Sequence, residues 1–269
     1  MLEKINSPKD LKNLSIKELQ IVSNEVSELI IDTIEEHGGH YSSPLGVVDL
    51  TVALHHCYDS PNDKLVWDVG HQAYAHKILT GRRDSFKTLR QKDGISGFLK
   101  RSESVHDAIG AGHSTTSISS ALGIAHARDY NNKDFNVVSI IGDGAMTGGM
   151  AYEAMNNLGF HRTQQTIILN DNSKSISASV GALSKYLSKI ITNPTYNKIR
   201  SDIWDISGKI PVVSDTIRKF LKKSEEGIKG FLTPGILFEE LGIRYIGPID
   251  GHDIDEMVKV FNSVREIKT

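Results

Sequence analysis

The sequence predicts an α/β fold: a doubly wound, mostly parallel sheet with helices on both faces. Two short runs, Asn136–Ile141 and Thr166–Leu169, are almost continuously apolar, as expected of parallel strands covered on both faces. Helical periodicities precede, separate and follow these runs, the alternation that marks a βαβ layer. Each run also ends abruptly in small, oxygen-rich residues, Gly142-Asp143-Gly144-Ala145 and Asn170-Asp171-Asn172.

From the N-terminus, Ser15-Ile16-Lys17-Glu18 reads as a capping box. Leu19, Val22, Val26, Ile30 and Ile34 then recur at helical spacing until Gly38-Gly39. A second helix is expected to open at Pro44 and run through Val47, Leu50, Leu54 and His55. Lys64–Asp68 reads as a short buried strand that delivers the chain into Gly70-His71, followed by a helix from about Gln72 to Leu79 that stops at Gly81. The stretch from Ser114 to Ala127 is rich in Ser, Thr, Ala and Gly, side chains small enough for a helix lying close to a sheet. A helix from about Thr147 to Leu158 links the two apolar runs. Residues 183–229 read as a helical excursion broken by Asn193-Pro194, Gly208 and Pro211. Arg244-Tyr245-Ile246 resumes a strand pattern, and Asp253–Glu256 caps a last helix holding Met257, Val260, Phe261 and Val264. The whole chain, 1–269, is read as one domain carrying that excursion.

Bulk properties narrow the function classes. The 269 residues are 39% hydrophobic and 24% charged, ordinary values for a globular protein. One cysteine, Cys57, excludes an internal disulfide and a cysteine-based zinc cluster and suits a reducing, cytoplasmic setting. A net charge of −2 gives no support for nucleic acid as a partner. No apolar run approaches the ~20 residues that span a bilayer, so no membrane partner is expected. The start, Met1–Pro8, lacks the pattern of a secretory signal.

The chemistry concentrates where the two apolar runs end. Ligands in open α/β sheets sit beyond the carboxyl ends of the strands. Glycines there let the backbone approach a phosphate, and free amides at a helix start favour anions. Asn172 follows Asp143 by 29 positions, enough for one helix and a returning strand, and the right-handed crossover makes the two strands near neighbours. Mg²⁺ takes hard oxygen ligands and few protein groups beside phosphates. Asp143, the Asn172 amide oxygen and a backbone carbonyl at Lys174 would meet that need. Either motif alone is more often a turn or a helix cap; together, each after a buried strand, they point to a metal–diphosphate site. His71 and His76, five apart, do not share a helix face as a metal pair would. His55 and His56 read as packing and surface residues, and His252 as a turn residue.

Gly-Asp-Gly with Asn-Asp-Asn about 30 positions on resembles the thiamine-diphosphate motif of transketolase-like enzymes. The likeness is closer to the 1-deoxy-D-xylulose-5-phosphate synthases and covers essentially the whole chain. It is carried by Gly38-Gly39-His40, Trp67–Tyr74, His76–Arg83, Gly112-His113-Ser114, Gly142–Thr147, Ser175-Ile176-Ser177, Phe238–Gly242 and, most specifically, Tyr245–His252. The resemblance implies thiamine diphosphate and Mg²⁺ as cofactors and condensation of pyruvate with glyceraldehyde 3-phosphate, with loss of CO₂, for isoprenoid and thiamine precursors. It implies Asp143, Asn172 and Lys174 at the metal; His71, Gly112, His113, Ser114, Gly144, Ala145 and Asn172 at the cofactor; and His40 and His71 as catalytic groups. His40 would serve as a hydrogen-bond or proton-transfer group near the reacting carbonyl. On chemistry alone His40 could equally cap a helix end, and His113 and Ser114 could be helix-capping residues.

The resemblance also implies that a second, pyrimidine-binding domain supplies the glutamate that activates the cofactor ring. The 269 residues are therefore expected to be inactive without it, and to work as a homodimer or with a second-half polypeptide. Ser173-Lys174 depart from the family, which more often has an acidic and an apolar residue there. A non-catalytic thiamine-diphosphate-binding protein and a split transketolase subunit are the competing readings; the Tyr245–His252 run argues against the latter.

Overall fold

The computed structural model describes residues 1–171 and 235–267. Its chain divides into two compact units, one of Met1–Ser179 with Ile249–Thr269, the other Val180–Pro248. The 183–229 excursion lies outside the described residues.

The first unit is built on three parallel strands in the order β1 (Lys64–Trp67), β2 (Val137–Gly142), β3 (Thr166–Asn170). Register runs from Lys64 opposite Val137 to Trp67 opposite Ile140, and from Val138 opposite Thr166 to Gly142 opposite Asn170. Side chains alternate across a strand, and both faces are covered. Leu65, Trp67, Val138 and Ile140 enter the larger core with Leu19, Val26, Ile30, Leu54 and Met257. Val66 and Val137 pack against Ala121 and Ala125 on the opposite face. The doubly wound expectation is met. β2 is buried from Val137 to Ile141, whereas β3, expected to be equally covered, is half-buried throughout.

The helices form where local signals ask for them. α1 (Ile16–His37) starts at a capping box: Ser15 Oγ accepts from the Glu18 amide, and Glu18 accepts from the Ser15 amide at 2.8 Å. Its Leu19, Val22, Val26 and Ile30 are fully buried. The helix expected from Pro44 is instead a turn at Ser42–Leu45 followed by α2 (Val48–Cys57), because Val47 leaves helical geometry at φ −129°. Tyr74–Lys77 begins a helical stretch that unwinds at Gly81, whose φ of 87° suits glycine. α3 (Ser117–Tyr130) presents its small residues to the sheet, and α4 (Gly149–His161) crosses from β2 to β3. α5 (Ile254–Glu266) opens on Asp253, whose carboxylate accepts from the Glu256 amide. No helix among the described residues is long and apolar enough to cross a membrane.

In the second unit the strand expected at Arg244–Ile246 is not formed. Tyr245 stacks on Phe238 (centroids 5.7 Å, planes 7° apart), and its amide donates to Glu239 Oε1 at 2.9 Å. Its apolar face thus packs on the helical turn Ile236–Glu240 instead of a sheet.

Candidate functional site

Because the strands are parallel, all three release the chain at one edge of the sheet. At the tips of β2 and β3 the register sets Gly142 opposite Asn170. Asp143 and Asp171, the next residues along, therefore leave neighbouring strands side by side. Asp143 begins a single helical turn, Asp143–Met146, in which the Thr147 and Gly148 amides donate back to the Gly144 and Ala145 carbonyls. Methyl groups added at Gly144 or Gly112 would meet nothing within 4 Å, so the backbone there is open to a ligand. The expected ligands Asn172 and Lys174 lie outside the described residues.

At the tip of β1 stands Asp68, a residue to which the sequence reading gave no role. Its amide donates to Ile140 O at 2.8 Å, and its carboxylate, 1% exposed, accepts from the amides of Thr115 (2.8 Å) and Ser117 (2.9 Å). One side chain thereby ties Gly112-His113-Ser114, all exposed, to the sheet edge. It also satisfies the Ser117 amide, the first of α3. Only a signal of position could have flagged Asp68: a carboxylate one residue past a buried strand faces the crevice.

His71 follows three residues later. Its Nδ1 is buried and has no hydrogen-bond partner among the described residues, and such a group normally finds one. The His40 ring lies 5.2 Å from it, edge-on, and 6.0 Å from Phe98. Tyr74, fully buried and packed on Phe86, fixes His40: its Oη accepts from the His40 amide at 3.3 Å and lies 3.5 Å from Nδ1. Burial lowers the pKa of both imidazoles; the Arg90 charge adds to the effect at His40, and at His71 the His40 charge adds while Asp68 opposes. His40 and His71, the two histidines for which the resemblance implies a catalytic role, thus pack against each other. His55 and His76 belong elsewhere: stacked rings at 5.0 Å, both fully buried, joined to a network of Asp107, Arg82, Glu103 and Lys77. His252, exposed, sits in a turn where its amide donates to Asp250 Oδ1. Cys57 is free and buried, with burial pushing its thiol up to about 11.

This fold is that of the transketolases. The structure of transketolase from Campylobacter jejuni matches 94% of this chain over 36% of its own, with a TM-score of 0.68 and 20% identity. A transketolase mutant from Pichia stipitis matches with a TM-score of 0.63 and 17% identity, over 94% of this chain and 34% of its own. At such identities the likeness speaks to the fold. Sequence likeness is more particular. The family profile described as 1-deoxy-D-xylulose-5-phosphate synthase matches residues 2–269. The synthase of Caldanaerobacter subterraneus is 52% identical over 268 residues, and that of Alkaliphilus oremlandii 51% over 267. The chain belongs to the 1-deoxy-D-xylulose-5-phosphate synthase family. Those matches take in 100% and 99% of this chain, and 43% of each relative's length.

Proposed function

We propose that these 269 residues are one domain, the diphosphate- and Mg²⁺-binding part of a 1-deoxy-D-xylulose-5-phosphate synthase. The reaction joins pyruvate to glyceraldehyde 3-phosphate and releases CO₂. The observation that carries this reading is the pairing of Gly142 with Asn170, which puts Asp143 and Asp171 just past adjacent strand tips. The donor set fits the ligands: hard oxygens for Mg²⁺, open glycine backbone for a diphosphate, and a buried His71 Nδ1, without a partner among the described residues, for a polar atom of the cofactor.

In this reading Asp143, Asn172 and the Lys174 carbonyl hold Mg²⁺. His71, Gly112, His113, Ser114, Gly144 and Ala145 line the thiamine diphosphate. When bound, thiamine diphosphate supplies a carbon nucleophile that adds to the keto acid and accepts the electron pair left by CO₂. His40, neutral because burial disfavours its imidazolium, exchanges a proton with substrate oxygen through Nε2, since Tyr74 Oη faces Nδ1. The pyrimidine-side groups come from a second domain, in a homodimer or a paired polypeptide, in the cytoplasm. A split transketolase subunit shares the fold, but the Tyr245–His252 run favours the synthase.

Two measurements test this. Calorimetry should detect Mg²⁺–thiamine diphosphate binding that Asp143→Ala abolishes. Mixing the chain with pyruvate, glyceraldehyde 3-phosphate, both cofactors and a matching second half should release CO₂. Binding without any turnover in that mixture would leave a non-catalytic binding protein.

A further inference from the structure

We propose that Asp68 is a positioning residue for the cofactor site, acting through a strained Thr115 to align three loops at the sheet edge. The inference rests on the thiamine-diphosphate reading above. Thr115 has φ 70° and Val69, next to Asp68, has φ 58°. Left-handed backbone is a rare and costly state for β-branched residues and persists only where surroundings impose it. Here the imposing group is the Asp68 carboxylate, which accepts from the Thr115 and Ser117 amides while its own backbone is hydrogen-bonded to β2.

Held this way, the Thr115 methyl occupies space that only a glycine leaves at position 148. A Cβ added to Gly148 would lie 2.1 Å from Thr115 Cγ2. Gly70, with φ 85°, is similarly committed, since its added Cβ would lie 2.8 Å from Ala111 Cβ. Asp68 therefore sets the spacing between the loop of His71, the loop of Gly112-His113-Ser114 and the turn of Gly144-Ala145. Each of these three is placed in the cofactor site in the reading above.

The test uses the 269-residue chain, with Mg²⁺–thiamine diphosphate titrated calorimetrically well below the melting temperature. In Asp68→Asn one amide N–H loses its acceptor and faces an NH₂ group. Affinity should fall about tenfold, the loss of one charge-assisted hydrogen bond, and hydrogen exchange at the Thr115 and Ser117 amides should accelerate. Gly148→Ala leaves Asp68 intact but collides with Thr115; its φ of −77° accepts alanine, so it should fold and bind several-fold more weakly. Gly149→Ala, where an added Cβ meets nothing within 4 Å, should bind as wild type does. A contact that merely stabilised the fold would lower melting temperatures and leave affinity at low temperature unmoved. Wild-type affinity in both Asp68→Asn and Gly148→Ala, or unchanged exchange at Thr115 and Ser117, overturns the positioning role while sparing the cofactor reading. Failure of the unmodified chain to bind removes the cofactor reading itself, and this inference with it.

Discussion

Burial is the leading influence on five imidazoles, those of His40, His55, His71, His76 and His106. It lowers the pKa of His40, His71, His55 and His76, and pushes His106 down to about 4, with the charges of His76 and Arg82 adding to the shift. In the unfolded chain each returns to about 6.5. Between those values the unfolded state binds more protons, so stability must fall as pH falls. It is complete above about pH 6.5 and declines towards pH 4. Urea midpoints should therefore be flat from pH 7 to 8 and drop below 6.5, with His106→Asn showing a shallower decline. A profile that rises on acidification would contradict the neutral-imidazole assignment. At this scale the sequence was legible where a motif is local. Asp143 announces itself between two glycines after an apolar run. Asp68 does not, because its partners Thr115 and Ser117 lie 47 and 49 positions away and nothing in its own neighbourhood marks them.

Among elements, the same division holds. Caps are written beside the helices they start, and Ser15 and Asp253 are found at the N-caps of α1 and α5. The network that fixes residues 98–111 against the turn at 74–82 is not written locally. Lys77 is fully buried and donates to Glu103 at 2.6 Å, while Arg82 grips Asp107 through both terminal nitrogens at 2.8 and 2.7 Å. Asp107 also accepts from the Lys100 amide. Burial alone would raise its pKa, but the His76 and Arg82 partners outweigh that and hold it well below the usual carboxylate range. Removing one partner of a buried pair strands the other charge, at a cost of about 3–5 kcal/mol. Asp107→Ala should lose stability on that scale in urea unfolding. Asp255→Ala, which breaks only an exposed i,i+4 pair with Lys259 on α5, should leave the midpoint where it was. Equal effects of the two would show that the buried network does not hold this part of the fold. Arg244–Ile246 shows the opposite failure: a strand-like run whose Tyr245 found a partner in Phe238 on a nearby helical turn.

For the molecule as a whole, the strand–helix alternation was enough to anticipate a sheet covered on both faces, because that pattern repeats over tens of residues. What it could not convey is how the loops at one sheet edge are held before any ligand arrives. The remaining constraint on such a ligand is electrostatic. In the proposed function the acidic Asp143 faces an anionic diphosphate, an arrangement that calls for Mg²⁺ between the two. Binding should accordingly require both components, and because only the folded chain presents the three loops together, it should stabilise that state alone. At a hundredfold excess over the dissociation constant the gain is about 2.7 kcal/mol, or roughly 5–10 °C in melting temperature for a chain of this size. Thiamine diphosphate with Mg²⁺ should produce that rise, whereas thiamine diphosphate with EDTA should not. Asp143→Ala should remove the response to the pair. A rise that survives EDTA would mean that the diphosphate is held by backbone amides alone, and that Asp143 has some other use.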